Sequence, residues 1–488
     1  NDETLSSAII LPMKVLTAAD VTRLCRAIRS NNNTNLRSLS ASGHVLTVDQ
    51  LRCLGDAIVE SHGGGSDGGG GIRDLAVGDA QMGNKGVAAL LQPFRGKTNH
   101  LRELDLSYKN IIGDGKEDDD GDGVTTIGMA FGSRIHLQRL LLGRNDAMKS
   151  QGLIQLCEAA LHAPRSHPGG PDHGFPGLEY LDLTECGIGG DTDDDGAAIR
   201  SLSSCLLRKY VFQPRPKLQL LLTSNPVGHA GVSSLQNLIS TSTLSHLDLR
   251  NCRIGNEGLQ ALADALSVCN SCSKLESLDI SQNGITAIPK VVSTSGYKKD
   301  GDTTITHSLT ELNIAGNPLG PAEINTLLTS SLFYNPETLT MLDLSNTRCG
   351  IAGAVAALTF CGQPNTALRE LRLFNNKLGT EGLVACAPLL VGGSCGSLVH
   401  LDLGGNNAQE EGVAALLSAI LEPINPASNE TKENDEDGTK LMLLEVGGNA
   451  IGTRVEELMT RIELEKPHLD VAKDRPTPIA TDTDADGD

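Results

Sequence analysis

The chain has 488 residues, of which 39% are hydrophobic and only 2% aromatic, and it contains no Trp. A single globular core normally stops growing beyond roughly 250–300 residues, so this length requires either several domains or a solenoid, which lengthens without thickening. The formal net charge of −20 argues against a nucleic-acid-binding protein, and no window holds the ~18 uninterrupted apolar residues of a membrane span.

The N-terminal region contains one amphipathic stretch, AADVTRLCRAIR at residues 18–29, which predicts a helix. The preceding residues, NDETLSSAIILPMKVL, lack the basic region and the small-residue cleavage site of a secretory signal. The 12 cysteines are scattered along the whole chain, several of them inside apolar helical patterns. This distribution favours reduced thiols over a disulfide framework and predicts a cytoplasmic protein.

From residue 36 onward, the phrase L-x-x-L-x-L-x-x-N/C recurs thirteen times. Its clearest copy, with the apolar stretch that follows, is TLSHLDLRNCRIGNEGLQALADAL at residues 243–266. The spacing between copies ranges from 27 to 43 residues, which fits a unit of about 29 residues that has received insertions. The copies begin at Leu36, Ile72, Leu101, Leu137, Leu178, Lys217, Leu244, Leu275, Leu309, Leu339, Leu368, Leu398 and Leu441.

Each copy predicts a short strand, a turn and a helix. The L-x-L core has period two, so Leu181 and Leu183 should face inward while Tyr180 and Asp182 face outward. The Asn or Cys that ends the phrase should hydrogen-bond the backbone of the neighbouring turn, forming a ladder. Apolar residues at helical spacing follow, as at Glu257–Leu266 and at Glu411–Leu421, and a final helix is predicted near Arg454–Leu464.

This repeat resembles the leucine-rich repeat family, in the long-repeat subclass seen in ribonuclease inhibitor and in the arrays of NOD-like receptors. The resemblance covers nearly the whole chain. Because strands pack about 4.8 Å apart and helices roughly 10 Å apart, stacked repeats should curve into an α/β solenoid (horseshoe), with a parallel β-sheet on the concave face and α-helices on the convex face. We therefore predict a capping half-repeat at 1–35, a solenoid of about thirteen repeats at 36–473, and a disordered acidic tail at 474–488.

Four acidic segments, at 113–123, 191–195, 430–438 and 474–488, together carry −17 of the net charge. They contain or resemble D-x-D-x-D-G, the opening of an EF-hand calcium loop. The twelfth position of such a loop must be a bidentate carboxylate, but in the first three segments it is Met129, Leu202 or Leu444, and the fourth segment ends too early. We predict solvated acidic loops that cap helix N-termini, and weak calcium binding of another kind stays open.

No catalytic or nucleotide-binding motif occurs in the context that it requires. GGSCG at 392–396 matches the nucleophile elbow, but it follows a predicted helix and precedes a predicted strand, the reverse of that motif. GRNDAMKS at 143–150 misses the P-loop because Met148 occupies the second glycine position. The sequence therefore predicts a protein that is not an enzyme and that holds neither a cofactor nor a structural metal.

The concave sheet is the predicted binding surface. Seven of the eleven central residues of L-x-L, from the third copy to the last, are acidic. L-D-L is common in this repeat subclass, so the acidic row is either family consensus or a ligand site. The predicted partner-binding residues are Asp105, Tyr108, Arg144, Tyr180, Asp182, His246, Asp248, Arg250, Asp279, Asp343, Arg372, Phe374, His400 and Asp402.

Three functions are compatible with these patterns. The leading hypothesis is a scaffold that binds a protein partner, with a basic one favoured because it would neutralise the acidic row, and that binds neither nucleic acid nor membrane. The resemblance also implies two alternatives. One is a GTPase-activating regulator of a Ran-like small GTPase, although no catalytic residue of that family maps onto this sequence. The other is the sensor array of an NLR-type receptor, which requires a nucleotide-binding module upstream of Asn1.

Overall fold

The computed structural model describes the parts of the chain that carry the repeats. These are residues 7–11, 15–30, 36–62, 71–97, 99–113, 122–164, 173–190, 196–207, 217–241, 244–268, 275–289, 309–330, 335–393, 395–422 and 440–473. The predictions for the acidic segments, including calcium binding, lie outside these ranges except at Gly113, Asp122 and Gly123. The described chain divides into a first unit, which ends at Leu275, and a second unit, which begins at Glu276.

The first unit contains eight strands, and each is hydrogen-bonded in parallel to the next one in the chain. The strands are β1 (Ser7–Ile9), β2 (Ser38–Ser42), β3 (Asp74–Gly78), β4 (Glu103–Asp105), β5 (Arg139–Leu141), β6 (Tyr180–Asp182), β7 (Leu218–Leu221) and β8 (Leu244–Asp248). The helices are α1 (Ala18–Arg29), α2 (Val48–His62), α3 (Gly83–Leu91), α4 (Gly123–Phe131), α5 (Lys149–Leu161), α6 (Ala197–Leu206), α7 (Gly228–Ser234), α8 (Gln236–Ser240) and α9 (Gly255–Val268).

The second unit repeats this arrangement with seven strands, again parallel and paired in chain order. The strands are β9 (Ser277–Asp279), β10 (Glu311–Asn313), β11 (Met341–Asp343), β12 (Glu370–Arg372), β13 (His400–Asp402), β14 (Leu443–Glu445) and β15 (Asp470–Ala472). The helices are α10 (Gly320–Thr329), α11 (Gly350–Cys361), α12 (Gly379–Cys386), α13 (Glu410–Leu421) and α14 (Thr453–Glu465). Short 3₁₀ turns occupy Gln92–Phe94 and Asp146–Met148 in the first unit and Ala387–Gly393 in the second.

The predicted strand–turn–helix repeat is confirmed in both units, since the thirteen copies of the leucine phrase correspond to β2–β14. Two strands were not predicted. β1 precedes α1 and pairs with β2, so the N-terminal region supplies a strand as well as the predicted helix, and β15 follows α14. Between β9 and β10 the described residues contain no helix. Among all described residues, no helix is both long and apolar enough to cross a membrane.

Leucine forms most of the core, as the composition requires. Both inward positions of L-x-L are buried in every repeat, for example Leu181 at 2% and Leu183 at 0% exposure. In the first unit the rings of Phe94 and Phe131 meet with centroids 5.7 Å apart. The helices pack against one face of each sheet, and the alternate side chains of each strand project from the other face, which we call the open face.

The predicted asparagine ladder is also confirmed. Asn317 Oδ1 accepts the N–H groups of Asn283 and Ile285 at 2.9 and 3.0 Å, and its Nδ2 donates to the carbonyls of Ile280 and Ile314 at 3.0 and 2.8 Å. Asn145, Asn225, Asn376, Asn406 and Asn449 bond neighbouring turns in a related way. Each buried amide therefore ties two successive repeats together.

Lys109 occupies the ladder position of the third copy. Its side chain is 3% exposed, and its Nζ donates to Ser42 Oγ at 3.2 Å and to the Ser107 carbonyl at 2.9 Å. Burial lowers the pKa of the Lys109 amine, and the nearby Asp105 and Asp79 carboxylates offset part of that effect.

One edge of the first acidic segment shows the capping role that the sequence predicts. Asp122 is the N-cap of α4, where its carboxylate accepts the Val124 N–H at 3.0 Å and the Thr125 hydroxyl. An anionic acceptor at this position satisfies a free N–H group and interacts favourably with the helix dipole. Among the described residues, no group of three or more His, Cys, Asp or Glu side chains is placed to hold a metal ion.

Candidate protein-interaction surface

The predicted partner-binding residues fall into two sets, one on the open face of each unit. The first unit carries Asp105, Tyr108, Arg144, Tyr180, Asp182, His246, Asp248 and Arg250. The second unit carries Asp279, Asp343, Arg372, Phe374, His400 and Asp402. The strands of each set are in register, and each set is interrupted by one strand without a predicted residue, β7 in the first unit and β10 in the second.

The acidic row has a structural role in both units. At each central aspartate, Oδ1 accepts the N–H group of the residue two positions later, at 2.8–2.9 Å. The pairs are Asp105 with Ser107, Asp182 with Thr184, Asp248 with Arg250, Asp279 with Ser281, Asp343 with Ser345 and Asp402 with Gly404. Asn313 forms the same bond to Ala315 at 3.0 Å. The bond stabilises the chain where it leaves the strand, which accounts for the frequency of Asp here independently of any ligand.

In the first unit, the acidic row alternates with leucine. The register aligns Asp105 with Leu141, Leu141 with Asp182, Asp182 with Leu221 and Leu221 with Asp248. The carboxylates are therefore two strands, or about 10 Å, apart instead of the 4.8 Å of adjacent strands. The carboxylates of this row therefore repel one another less strongly than they would on adjacent strands. Leu141 and Leu221 are half-buried, so this surface presents acidic and apolar side chains in turn.

Arg139 lies at the centre of the first-unit surface, although the sequence reasoning did not select it. Its Nε lies 2.9 Å from Glu103 Oε2, and its guanidinium lies over the Tyr180 ring, 4.0 Å from the centroid. Burial, then Asp182, raises the pKa of the Tyr180 phenol, which is therefore neutral at physiological pH. Arg139 occupies the same repeat position as Tyr180 and His246, so the sequence pattern contained the signal that would have identified it.

The residue before the ladder position has a left-handed backbone. This conformation is usually left to Gly or Asn, but Tyr108 has φ 58°, Arg144 φ 60° and Glu185 φ 53°. The Tyr108 side chain is 62% exposed. The Arg144 Nε lies 3.5 Å from Glu185 Oε2, so the turns of β5 and β6 are linked by an exposed ion pair. Arg250 is exposed, and His246 is half-buried with Nδ1 2.9 Å from Ser245 Oγ.

The second-unit surface is an ionic network. Arg372 Nε donates to Glu370 Oε1 at 2.6 Å, and Arg372 Nη1 lies 3.8 Å from Asp343 Oδ2. His400 Nε2 lies 2.7 Å from Glu445 Oε1, and its Nδ1 lies 3.4 Å from Glu370 Oε1. Burial lowers the pKa of the Arg372 guanidinium, but Glu370 and Asp343 outweigh it and raise the pKa overall. Glu370 and Glu445 were not among the predicted partner-binding residues.

Two predicted residues of the second unit are largely covered, and two others are half-buried. Asp343 is 7% and Asp402 2% exposed, and the Asp279 carboxylate accepts a bond from Asn313 Nδ2 at 2.7 Å. Phe374 lies against Gly405, where a Cβ atom would come within 2.5 Å of Phe374 Cε2. The ring therefore packs on the backbone of the next repeat and is half-buried.

Comparison with known proteins identifies relatives of the same repeat type. A family model described as leucine rich repeat matches residues 241–263, 271–287 and 365–385. Ribonuclease inhibitor of Mus musculus is 26% identical over 359 residues, covering 72% of this chain and 68% of the relative. Ribonuclease inhibitor of Sus scrofa is 24% identical over 404 residues, covering 72% and 81%. NACHT, LRR and PYD domains-containing protein 12 of Mus musculus is 27% identical over 413 residues, covering 82% of this chain but 32% of the relative.

Proposed function

We propose that this chain is a non-enzymatic scaffold that binds a basic protein partner on the open face of its first unit. It is a leucine-rich-repeat protein of the subclass that includes ribonuclease inhibitor and the NACHT, LRR and PYD proteins. Repeats of this family indicate a protein-interaction scaffold. The choice of the first-unit face and of a basic partner is our proposal.

The observation that supports it most strongly is the alternation of Asp105, Leu141, Asp182, Leu221 and Asp248. Among the described residues, Asp182 and Asp248 form no ion pair. The backbone hydrogen bond uses only Oδ1 of each carboxylate. Repeated carboxylates without counter-charges favour a cationic ligand. The intervening leucines add apolar contact area that a simple cation would not use.

The spacing also indicates what part of a partner fits. An extended segment rises about 3.3 Å per residue, so basic side chains three residues apart would match carboxylates about 10 Å apart. Tyr108, Tyr180 and Arg139 extend the same face with the residue types that most often anchor protein interfaces.

The test replaces charge without removing the structural bond. In Asp182→Asn with Asp248→Asn, the amide oxygen still accepts the N–H groups of Thr184 and Arg250, while two negative charges are lost. We expect capture of basic partners from native extract to fall by roughly tenfold or more, at an unchanged melting temperature. Quantitative mass spectrometry of the captured proteins measures the fall.

The matched control removes two charges from the helical side of the same unit. Glu257→Gln and Asp264→Asn lie on α9, where both side chains are exposed. This variant should capture the same partners as the unaltered protein. Equal capture by the open-face variant and the control would rule out the first-unit surface.

A second candidate function rests on the relatives. The match to a NACHT, LRR and PYD protein covers 82% of this chain but only 32% of that relative. This favours the hypothesis that the chain is the sensor array of an NLR-type receptor. Sequencing the full-length transcript would test for an upstream nucleotide-binding module. The Ran-type activating role and the cytoplasmic location stay predictions, to be tested by stimulated GTP hydrolysis and by cell fractionation.

A further inference from the structure

We propose that three arginines at the beginning of β2, β3 and β4 form a second binding surface of the first unit, which takes an acidic peptide segment. This arginine row consists of Arg37, Arg73 and Arg102, each of which immediately precedes the first residue of its strand. It lies at the edge of the sheet where the strands begin. The proposal is independent of the open-face site, whose ligand has the opposite charge.

The backbone places the three arginines next to one another. The Arg73 N–H donates to the Arg37 carbonyl at 2.5 Å, and the Arg102 N–H donates to the Arg73 carbonyl at 2.6 Å. Successive members therefore belong to adjacent strands, about 4.8 Å apart across the sheet. Three positive charges at this separation repel one another unless an anion is present.

Asp74, which follows Arg73 in the chain, offsets this repulsion only in part. None of the three arginines forms a salt bridge among the described residues, and only Arg37 has a side-chain hydrogen bond, from Nη1 to the Gly71 carbonyl at 3.5 Å. Burial lowers the pKa of the Arg73 guanidinium, and the charges of Arg102 and Arg37 lower it further. Arg102 is exposed, and Arg37 and Arg73 are half-buried.

The surrounding residues extend the positive surface. Arg95, Lys97 and His100 precede β4, and neither residues 94–102 nor residues 131–139 contain an acidic side chain. The His100 and His136 rings lie with their centroids 5.3 Å apart and their planes tilted by 54°. Burial lowers the pKa of His136, and His100 and Arg102 lower it further, which favours the neutral form of the His136 ring.

An acidic peptide fits this surface better than a nucleic acid does. The row spans three strands, about 10 Å, and Asp74 and Glu103 lie one residue beyond Arg73 and Arg102. The phosphates of a nucleic acid are regularly spaced and extend beyond a short positive surface. They would be repelled by these carboxylates and by the rest of a chain whose net charge is −20. A short run of Asp or Glu can place its carboxylates on the planar guanidinium groups, which bind them in a bidentate manner.

The experiment uses the full chain and a fluorescein-labelled poly-glutamate peptide, with fluorescence anisotropy as the readout. We expect binding that weakens as salt is raised, and no binding of the matched poly-glutamine peptide. Arg73→Gln with Arg102→Gln should weaken binding by roughly tenfold, since each exposed charge contact contributes up to about fivefold. Gln retains most of the side-chain length, and a thermal melt checks that the variant is folded.

Two controls make the result specific. Arg23→Gln with Arg52→Gln removes two exposed positive charges from α1 and α2 and should leave peptide binding unchanged. Asp182→Asn with Asp248→Asn should leave it unchanged or strengthen it. Equal binding by the Arg73/Arg102 variant, or absence of peptide binding, would overturn the proposal. Tighter binding of single-stranded RNA or of vesicles with anionic lipids would also overturn it, by assigning the row to a polyanion or a membrane surface.

Discussion

The open faces of the two units share the same strand geometry and the same aspartate-to-backbone bond, but they differ in what separates the carboxylates. In the first unit the separating residues are Leu141 and Leu221, which neither neutralise nor bond the acidic groups. In the second unit they are Asn313 and Arg372, and both bond a neighbouring carboxylate. One position per repeat therefore determines whether the acidic row remains available to a ligand or is satisfied within the sheet.

The ladders of the two units differ in the same sense. In the second unit amides occupy the position at Asn283, Asn317, Asn376, Asn406 and Asn449, interrupted by Thr347. In the first unit Asn145 and Asn225 alternate with Lys109, Cys186 and Cys252. A thiol donates weakly and accepts weakly, so a Cys cannot replace the several bonds of an Asn. The interior of the second unit is thus bonded more continuously than that of the first.

Replacing a ladder amide should have the largest effect and should separate the two ladders most clearly. Asn317→Ala leaves two buried N–H groups and two carbonyls without this partner, and should destabilise the second unit by about 3 kcal/mol. Native-state hydrogen exchange at Asn283 and Ile285 would measure the loss directly.

The matched variant in the first unit is Cys252→Ala. It removes a thiol that donates to the Leu222 carbonyl at 3.1 Å, but that carbonyl keeps its bond from Asn225 Nδ2 at 2.9 Å. The expected loss is about 1 kcal/mol or less. Similar losses for the two variants would contradict the difference between the ladders.

Removing a central arginine should have an intermediate effect that again differs between the units. Arg372→Met leaves Glu370 without its bond and the largely buried Asp343 without its nearest cation, and should cost about 2 kcal/mol. Arg139→Met breaks an exposed pair with Glu103 and should cost about 0.5 kcal/mol. Denaturant unfolding followed by hydrogen exchange in each unit would give both values, and equal costs would show that the second-unit network is not the more tightly coupled one.

The only stabilising effect is expected at the strained turn. Tyr108→Gly removes the Cβ that crowds a left-handed backbone and should stabilise the first unit by about 1 kcal/mol, partly offset by the greater freedom of Gly in the unfolded chain. Because Tyr108 is a proposed anchor, partner capture should fall at the same time. Thermal melts and the capture assay measure the two changes separately.

The equivalent turn of the second unit provides the control. Asn375 already tolerates φ 51°, and its Nδ2 donates to Asn346 Oδ1 at 2.7 Å. Asn375→Gly should therefore give no stabilisation. A Tyr108→Gly variant that has a higher melting temperature and still captures partners fully would show that Tyr108 does not contribute to partner binding.

The sequence predicted β2–β14, α9, α13 and α14 from the repeat and α1 from an amphipathic stretch, because each has a local pattern of apolar residues at the period of its element. It did not predict β1 and β15, whose sequences SAI and DVA contain no Leu and depend on pairing with a neighbouring repeat for their conformation. It placed the predicted partner-binding residues on strands and turns, but it did not identify Arg139, Glu370 or Glu445 as their neighbours. These contacts join residues roughly 30–45 positions apart, and their distances follow from side-chain rotamers that a pattern does not specify.

The sequence by itself determined the repeat, the parallel sheet and the row of aspartates, since these follow from leucine spacing and from a bond between residues two positions apart. Only the tertiary structure decided which of those aspartates are compensated and which are not. Compensation depends on the side chain that the strand register places beside each carboxylate and on how deeply the pair is buried. The same register brings Arg37, Arg73 and Arg102 together, although along the chain they are isolated residues in an acidic protein.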